Sequence, residues 1–112
     1  VVKVKPRTYS YYSRKAAALM GDMIHLYRKE RRLTTKDLAD RAGISRTTLQ
    51  KIEKGDLRCE IGIVFEVATL VGIRLFDGDL SSLNLLDERI KDKIALLPKN
   101  IHALKGHIND DF

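Results

Sequence analysis

Apolar residues recur along this chain at helical spacing, in short blocks separated by capping residues. Met20, Ile24, Tyr27 and Arg31 follow a 4-3-4 spacing with Ala17 a turn earlier, which predicts a helix over about residues 13–32. Leu38, Ala39 and Ala42 form the inward face of a second, short helix. Leu49 and Ile52 do the same for a third, running from Arg46 to Lys54. Val64, Val67, Ala68 and Val71 predict a fourth over about residues 62–71. Leu83, Leu86, Ile90, Ile94 and Leu97 are spaced 3-4-4-3 and predict a last helix from about Asn84 to Pro98. Two segments alternate instead. Residues 73–76 read as a short strand before an Asp77-Gly78 turn, and Val2 and Val4 alternate with lysines as an edge strand would. The predicted class is all-α with five helices and a short C-terminal strand.

Punctuation between the second and third blocks is dense. Thr34-Thr35-Lys36-Asp37 is a capping box, in which Thr34 caps the helix and Asp37 returns the bond. Gly43 suits the left-handed residue that stops a helix sharply, and Ser45 is the next N-cap. Gly55 and Gly72 stop the third and fourth helices, and Asn84-Leu85-Leu86-Asp87 offers a capping signal for the last. Two short helices joined by a Gly-Ile-Ser turn are the physical description of a helix-turn-helix.

Composition narrows the classes. A chain of 112 residues holds one ordinary domain, and 44% hydrophobic residues argue against wholesale disorder. Cys59 is alone, so no internal disulfide framework exists and a reducing compartment is expected. The longest apolar run, residues 16–20, falls far short of the ~20 residues that span a bilayer. No signal-peptide core follows the first basic residues, so the expected location is the cytoplasm, beside bacterial nucleoid DNA. His25, His102 and His107 are scattered, no zinc spacing exists, and the glycines sit at caps rather than in a phosphate-binding loop. Neither an enzyme nor a metal or other cofactor is expected. His25 lies on the first helix, on its solvent or phosphate side.

Net charge is +6, and its distribution matters more than its total. Residues 1–32 hold nine basic and two acidic side chains, while residues 33–56 hold five and four. A polyanion is drawn first to the basic end, though a solvated basic surface would look the same.

Gly21-Asp22-Met23-Ile24, Arg28-Lys29-Glu30-Arg31, Leu33-Thr34, Leu38-Ala39, Ala42-Gly43-Ile44-Ser45, Leu49, Ile52-Glu53 and Gly55 together resemble the signature of the Xre/phage-repressor helix-turn-helix family over about residues 20–75. The resemblance implies a five-helix, lambda-repressor-like domain that binds palindromic double-stranded operator DNA as a homodimer. It places the recognition helix from Arg46, with Arg46, Thr47 and Lys51 at base edges and Gln50 close by. The chemistry agrees: Arg and Lys donate to guanine, Gln pairs with adenine, and a Thr methyl meets a thymine methyl. Phosphate contacts are implied for Thr35, Lys36, Ser45 and Lys54. Many family members carry Gln where this chain has Thr35, which is shorter and so a weaker clamp. The resemblance also pairs Arg28 with Glu53; without it, Arg28 reads as an exposed arginine.

The last third is similar to HipB-like antitoxins, through Val71-Gly72-Ile73-Arg74-Leu75-Phe76 and the tail from Leu97-Pro98-Lys99-Asn100-Ile101 to Asp110-Asp111-Phe112. That resemblance implies the antitoxin of a type II toxin-antitoxin system, which represses its own operon and binds a HipA-like Ser/Thr kinase toxin. The alternatives are a phage-type or stand-alone repressor without a toxin, and an interaction module that has lost DNA binding. Residues 1–13 read as a basic, Tyr-containing arm, 14–97 as the DNA-binding and dimerisation domain, and 98–112 as a flexible tail. The last helix either completes the core or forms a dimer seam. The arm follows a DNA groove, pairs as an edge strand, or is a disordered start.

Overall fold

The computed structural model describes residues 7–101, so the lysines and valines of the arm's first residues and most of the expected tail lie outside the described residues. Five α-helices follow in order: α1 (Tyr11–Glu30), α2 (Thr35–Ala42), α3 (Arg46–Glu53), α4 (Ile61–Leu70) and α5 (Leu80–Leu96), with a short 3-10 turn at Leu75–Asp77. The all-α reading holds. The described residues fall into two compact units, one ending at Asp77 and the other beginning at Gly78.

Caps set most boundaries. Ser10 accepts a hydrogen bond from the Ser13 amide, so α1 starts two residues before its apolar stripe suggests. At its other end α1 stops at Glu30. Arg31 caps it and Arg32 takes a left-handed conformation at φ 56, so Arg28 and Lys29, not Arg31 and Arg32, are the basic residues of the last turn. The α2 cap matches its sequence: the Asp37 amide donates to Thr34 Oγ1 at 3.0 Å and the Thr34 amide to Asp37 Oδ2 at 3.1 Å. Those bonds, the backbone one first, hold the Asp37 carboxyl below its ordinary range. Gly43 then turns left-handed at φ 70, which lets the Ile44 amide reach back to the Ala39 carbonyl at 3.0 Å. Ser45 caps α3 by accepting from the Thr48 amide at 3.0 Å.

Two expectations fail. Residues 73–76 form no strand. The Ile73 amide bonds to the Ala68 carbonyl as part of the α4 stop, and Leu75–Asp77 form a 3-10 turn with Phe76 at φ 62. The alternation there reports packing: Ile73 is buried and Leu75 half-buried, with Arg74 and Phe76 exposed. No dimerisation strand exists among the described residues. The last helix also starts earlier than Asn84, because Asp79 accepts from the Ser82 amide at 2.9 Å and caps α5 at Leu80. It ends as expected, with Leu97 extended ahead of Pro98. None of its residues is buried, and Leu86, Ile90, Ile94 and Leu97 are exposed.

The core lies in the first unit. Ile24, Leu38, Ala39, Leu49, Ile52, Val67, Ala68, Val71 and Ile73 are buried together, with α1 packed on α3 and α2 packed on both α3 and α4. Helices α2 and α3 have eight residues each, too short to stand alone in water, so this packing is what makes them helices.

The crossing of α1 and α3 is unusually close at Gly21. A Cβ placed there would sit 2.5 Å from the Glu53 carbonyl oxygen and 2.6 Å from that of Ile52. Both are backbone atoms at the end of α3 and have no rotamer to yield. Gly21→Ala would gain about 1 kcal/mol of helix propensity. It would meet an overpacking cost of about 1–3 kcal/mol or more. We expect a net loss of stability, seen as a lower urea midpoint with an unchanged slope.

Candidate nucleic-acid interface

Helix α3 divides its residues between two jobs. Leu49 and Ile52 point into the core, while Arg46, Thr47, Gln50 and Lys51 are exposed. Arg46 and Thr47 open the helix and Gln50 follows one turn after Arg46. The outward residues of the first turn and a half therefore face away from the core together.

Behind α3 lies an ionic junction. Arg28 is 6% exposed, one of few arginines that a small domain buries, so the reading of it as a simple surface residue is wrong. Its Nε donates to Glu53 Oε2 at 2.8 Å and its Nη2 to Glu53 Oε1 at 3.0 Å, a two-pronged pair. Its Nη1 donates to the Leu33 carbonyl at 3.0 Å, which ties the end of α1 to the entry of α2. His25 Nδ1 lies 2.6 Å from Glu53 Oε1. Burial pushes the Glu53 carboxyl up, but the bonds from Arg28 and then His25 outweigh it and hold it below its ordinary value. The sequence resemblance placed the Arg28–Glu53 pair correctly. It did not place His25, whose 28-residue separation from Glu53 leaves no local signal.

The junction forms the floor of an open hollow of about 390 Å³. Thr35 of α2, Gln50 and Lys54 of α3, and Asp22 and His25 of α1 line its rim. Three of the expected DNA-contacting residues thus share one concave surface. The others are spread. Ser45 is engaged at its own cap, accepting from the Thr48 amide and donating to Thr48 Oγ1 at 2.9 Å. Lys36 pairs with Asp40 at 3.0 Å, both exposed. Lys51 lines a separate hollow with Asp56, Arg58 and Cys59, on the other flank of α3. Asp56 accepts from Arg58 at 2.9–3.2 Å, which holds its carboxyl low. Cys59 is half-buried, and burial pushes its thiol up, away from the reactive thiolate. No helix among the described residues is long and apolar enough to cross a membrane.

Comparison with known proteins accords with this geometry. A family profile described as helix-turn-helix matches residues 24–75. An uncharacterized HTH-type transcriptional regulator of Methanocaldococcus jannaschii is 34% identical over 58 residues, covering 52% of this chain and 88% of that protein. No solved structure matches the chain.

Two outcomes follow from the junction. Arg28→Ala leaves the Glu53 carboxylate in place with one strong partner fewer, and should cost about 3 kcal/mol in chemical denaturation. The acid dependence has a definite sign. Because the folded-state Glu53 carboxyl titrates below its ordinary 4.5, its contribution is complete above that value and is lost as pH falls through the folded value. The stability gap between the natural protein and Glu53→Gln should therefore close progressively as pH falls below about 4.5. A gap that widens below that pH would contradict the assignment.

Proposed function

We propose that this chain, which belongs to the Xre-type helix-turn-helix family of transcriptional regulators, represses transcription by binding a palindromic operator as a homodimer in the cytoplasm. The observation that supports it most is the division of α3. Exposed Arg46, Thr47, Gln50 and Lys51 sit on a helix pinned from behind by Leu49, Ile52 and Glu53. A reader of base edges needs that combination of outward donors and a fixed axis. In this reading Arg46, Thr47, Gln50 and Lys51 meet bases. Thr35 and Lys54 meet phosphates at the hollow, with Lys36 and Ser45 beside them. The Ser45 hydroxyl is already used in its cap, so its share falls to the backbone of that turn.

The dimer is read from α5. Its stripe of Leu86, Ile90, Ile94 and Leu97 is exposed, with Lys93 at its edge, while Glu88, Lys91 and Asp92 occupy other faces and Lys91 pairs with Asp87 at 2.8 Å. Apolar residues repeating along one face favour a second helix over water. Residues 14–97 are then the DNA-binding and dimerisation part, flanked by a basic arm over 1–13 and a tail over 98–112. Half-sites should be about 34–36 Å apart.

A finer role is that of a HipB-like antitoxin that autoregulates its operon and binds a HipA-like Ser/Thr kinase toxin. Its support is the resemblance at residues 71–76 and in the tail, and residues 102–112 of that tail lie outside the described residues. The alternative is a phage-type or stand-alone repressor. Affinity purification from the native host, analysed for bound DNA and bound protein, separates them: a kinase in the eluate supports the antitoxin, and DNA without one supports the alternative.

With the operator recovered, Arg46→Ala should lose about 1–3 kcal/mol of binding and relax preference at one base-pair position. Lys54→Ala should weaken every sequence alike and lower the salt slope by about 0.9 per protomer. Unchanged operator binding by Arg46→Ala would refute its role. Ile90→Asp with Ile94→Asp should give a monomer in sedimentation equilibrium; an unchanged dimer would move the seam elsewhere.

A further inference from the structure

His25 is held at one end and open at the other. Its side chain is 50% exposed at the rim of the hollow that Thr35, Gln50 and Lys54 also line. Nδ1 has two neighbours: Glu53 Oε1 at 2.6 Å and Arg28 Nη2 at 3.1 Å. It cannot serve both. A guanidinium only donates, and an ionised carboxylate only accepts. The shorter contact, to a charged acceptor, decides, so Nδ1 carries a hydrogen and donates to Glu53. The tautomer is then set. In its neutral form the ring presents to solvent only the Nε2 lone pair, an acceptor. A phosphodiester oxygen is also an acceptor, and the two repel. The imidazolium, with a second N–H at Nε2, is a donor and a cation.

We propose that His25 is a DNA-backbone contact made only in its protonated form, so that binding of duplex DNA takes up a proton at this ring. The inference rests on the reading of the hollow as a phosphate-facing surface. Charges of both signs surround the ring. From α1, Asp22 lies one turn before it and favours the cation, while Arg28 beside it and Lys29 one turn later oppose it. From α3, Glu53 favours the cation and Lys54 opposes it. From α2, Thr35 brings a hydroxyl and no charge. A phosphate entering the hollow adds negative charge beside the ring and favours the imidazolium.

A phosphate contact is blind to sequence, so a labelled mixed-sequence duplex is a sufficient probe. Binding of the full chain and of His25→Gln is measured by fluorescence anisotropy at fixed low ionic strength from about pH 5.5 to 8.5. His102 and His107 remain in both proteins, so their titration cancels in the comparison. The natural protein should lose affinity as pH rises, by up to tenfold per pH unit for each ring that must be protonated. His25→Gln should lack that component. At the acid end the salt slope of the variant should be smaller by about 0.9 per protomer, and at the alkaline end the two slopes should agree. A variant profile parallel to that of the natural protein, or an affinity indifferent to pH, overturns the proposal while leaving DNA binding intact. Failure of both proteins to bind duplex at any pH removes the DNA reading and this inference with it. Nitrogen-15 spectra of the natural protein give a second test that needs no variant. In its neutral form the free ring should carry its hydrogen on Nδ1, and added duplex should convert it to the imidazolium. A neutral ring with its hydrogen on Nε2, or a ring unchanged by bound duplex, overturns the proposal.

Discussion

The Arg28–Glu53 pair governs how α1 holds the short helix α3. An eight-residue helix has almost no stability of its own, so its direction is set by what grips it. Leu49 and Ile52 supply hydrophobic contact, which resists separation but tolerates some sliding. The two-pronged bond to Glu53, at 2.8 and 3.0 Å, supplies direction. The same guanidinium donates to the Leu33 carbonyl, so one side chain reaches the last residue of α3 and the segment that leads into α2. Burying that charge is costly unless every donor is used well. Here the Nε, Nη1 and Nη2 groups all have partners, and among the described residues no buried side-chain polar atom lacks one.

The close crossing at Gly21 complements this pair. Without a side chain at that position, the α1 backbone lies against the Ile52 and Glu53 carbonyls. That approach brings Arg28, two turns further along α1, within hydrogen-bonding reach of Glu53. Steric permission and ionic attraction thus act on the same end of α3 from positions two turns apart on α1.

Legibility in the sequence followed the range of each interaction. The unit from Thr34 to Ser45 is written in residues three to five apart, and its caps and left-handed Gly43 appear where the sequence puts them. The Arg28–Glu53 pair spans 25 residues and was accessible only through family resemblance. His25 has no such precedent in the resemblance, and its partner is visible only in three dimensions. At α5 the sequence offers Asn84 as the cap, but the Ser82 amide donates to Asp79 and the helix starts at Leu80. Alternation at residues 73–76 failed for another reason. Here the alternate burial comes from the α4 stop at Ile73 and the 3-10 turn at Leu75–Asp77, not from an extended strand.

The separation of tasks along α3 has an evolutionary consequence. Arg46, Thr47, Gln50 and Lys51 are exposed, whereas Leu49 and Ile52 carry the packing and Glu53 the ionic junction. Exposed positions accept most substitutions within about 0.5 kcal/mol of stability. If the proposed base contacts hold, paralogues built on this frame diverge in the DNA they read while retaining one fold, and duplicated copies in a single genome become insulated from each other by changes at four surface positions.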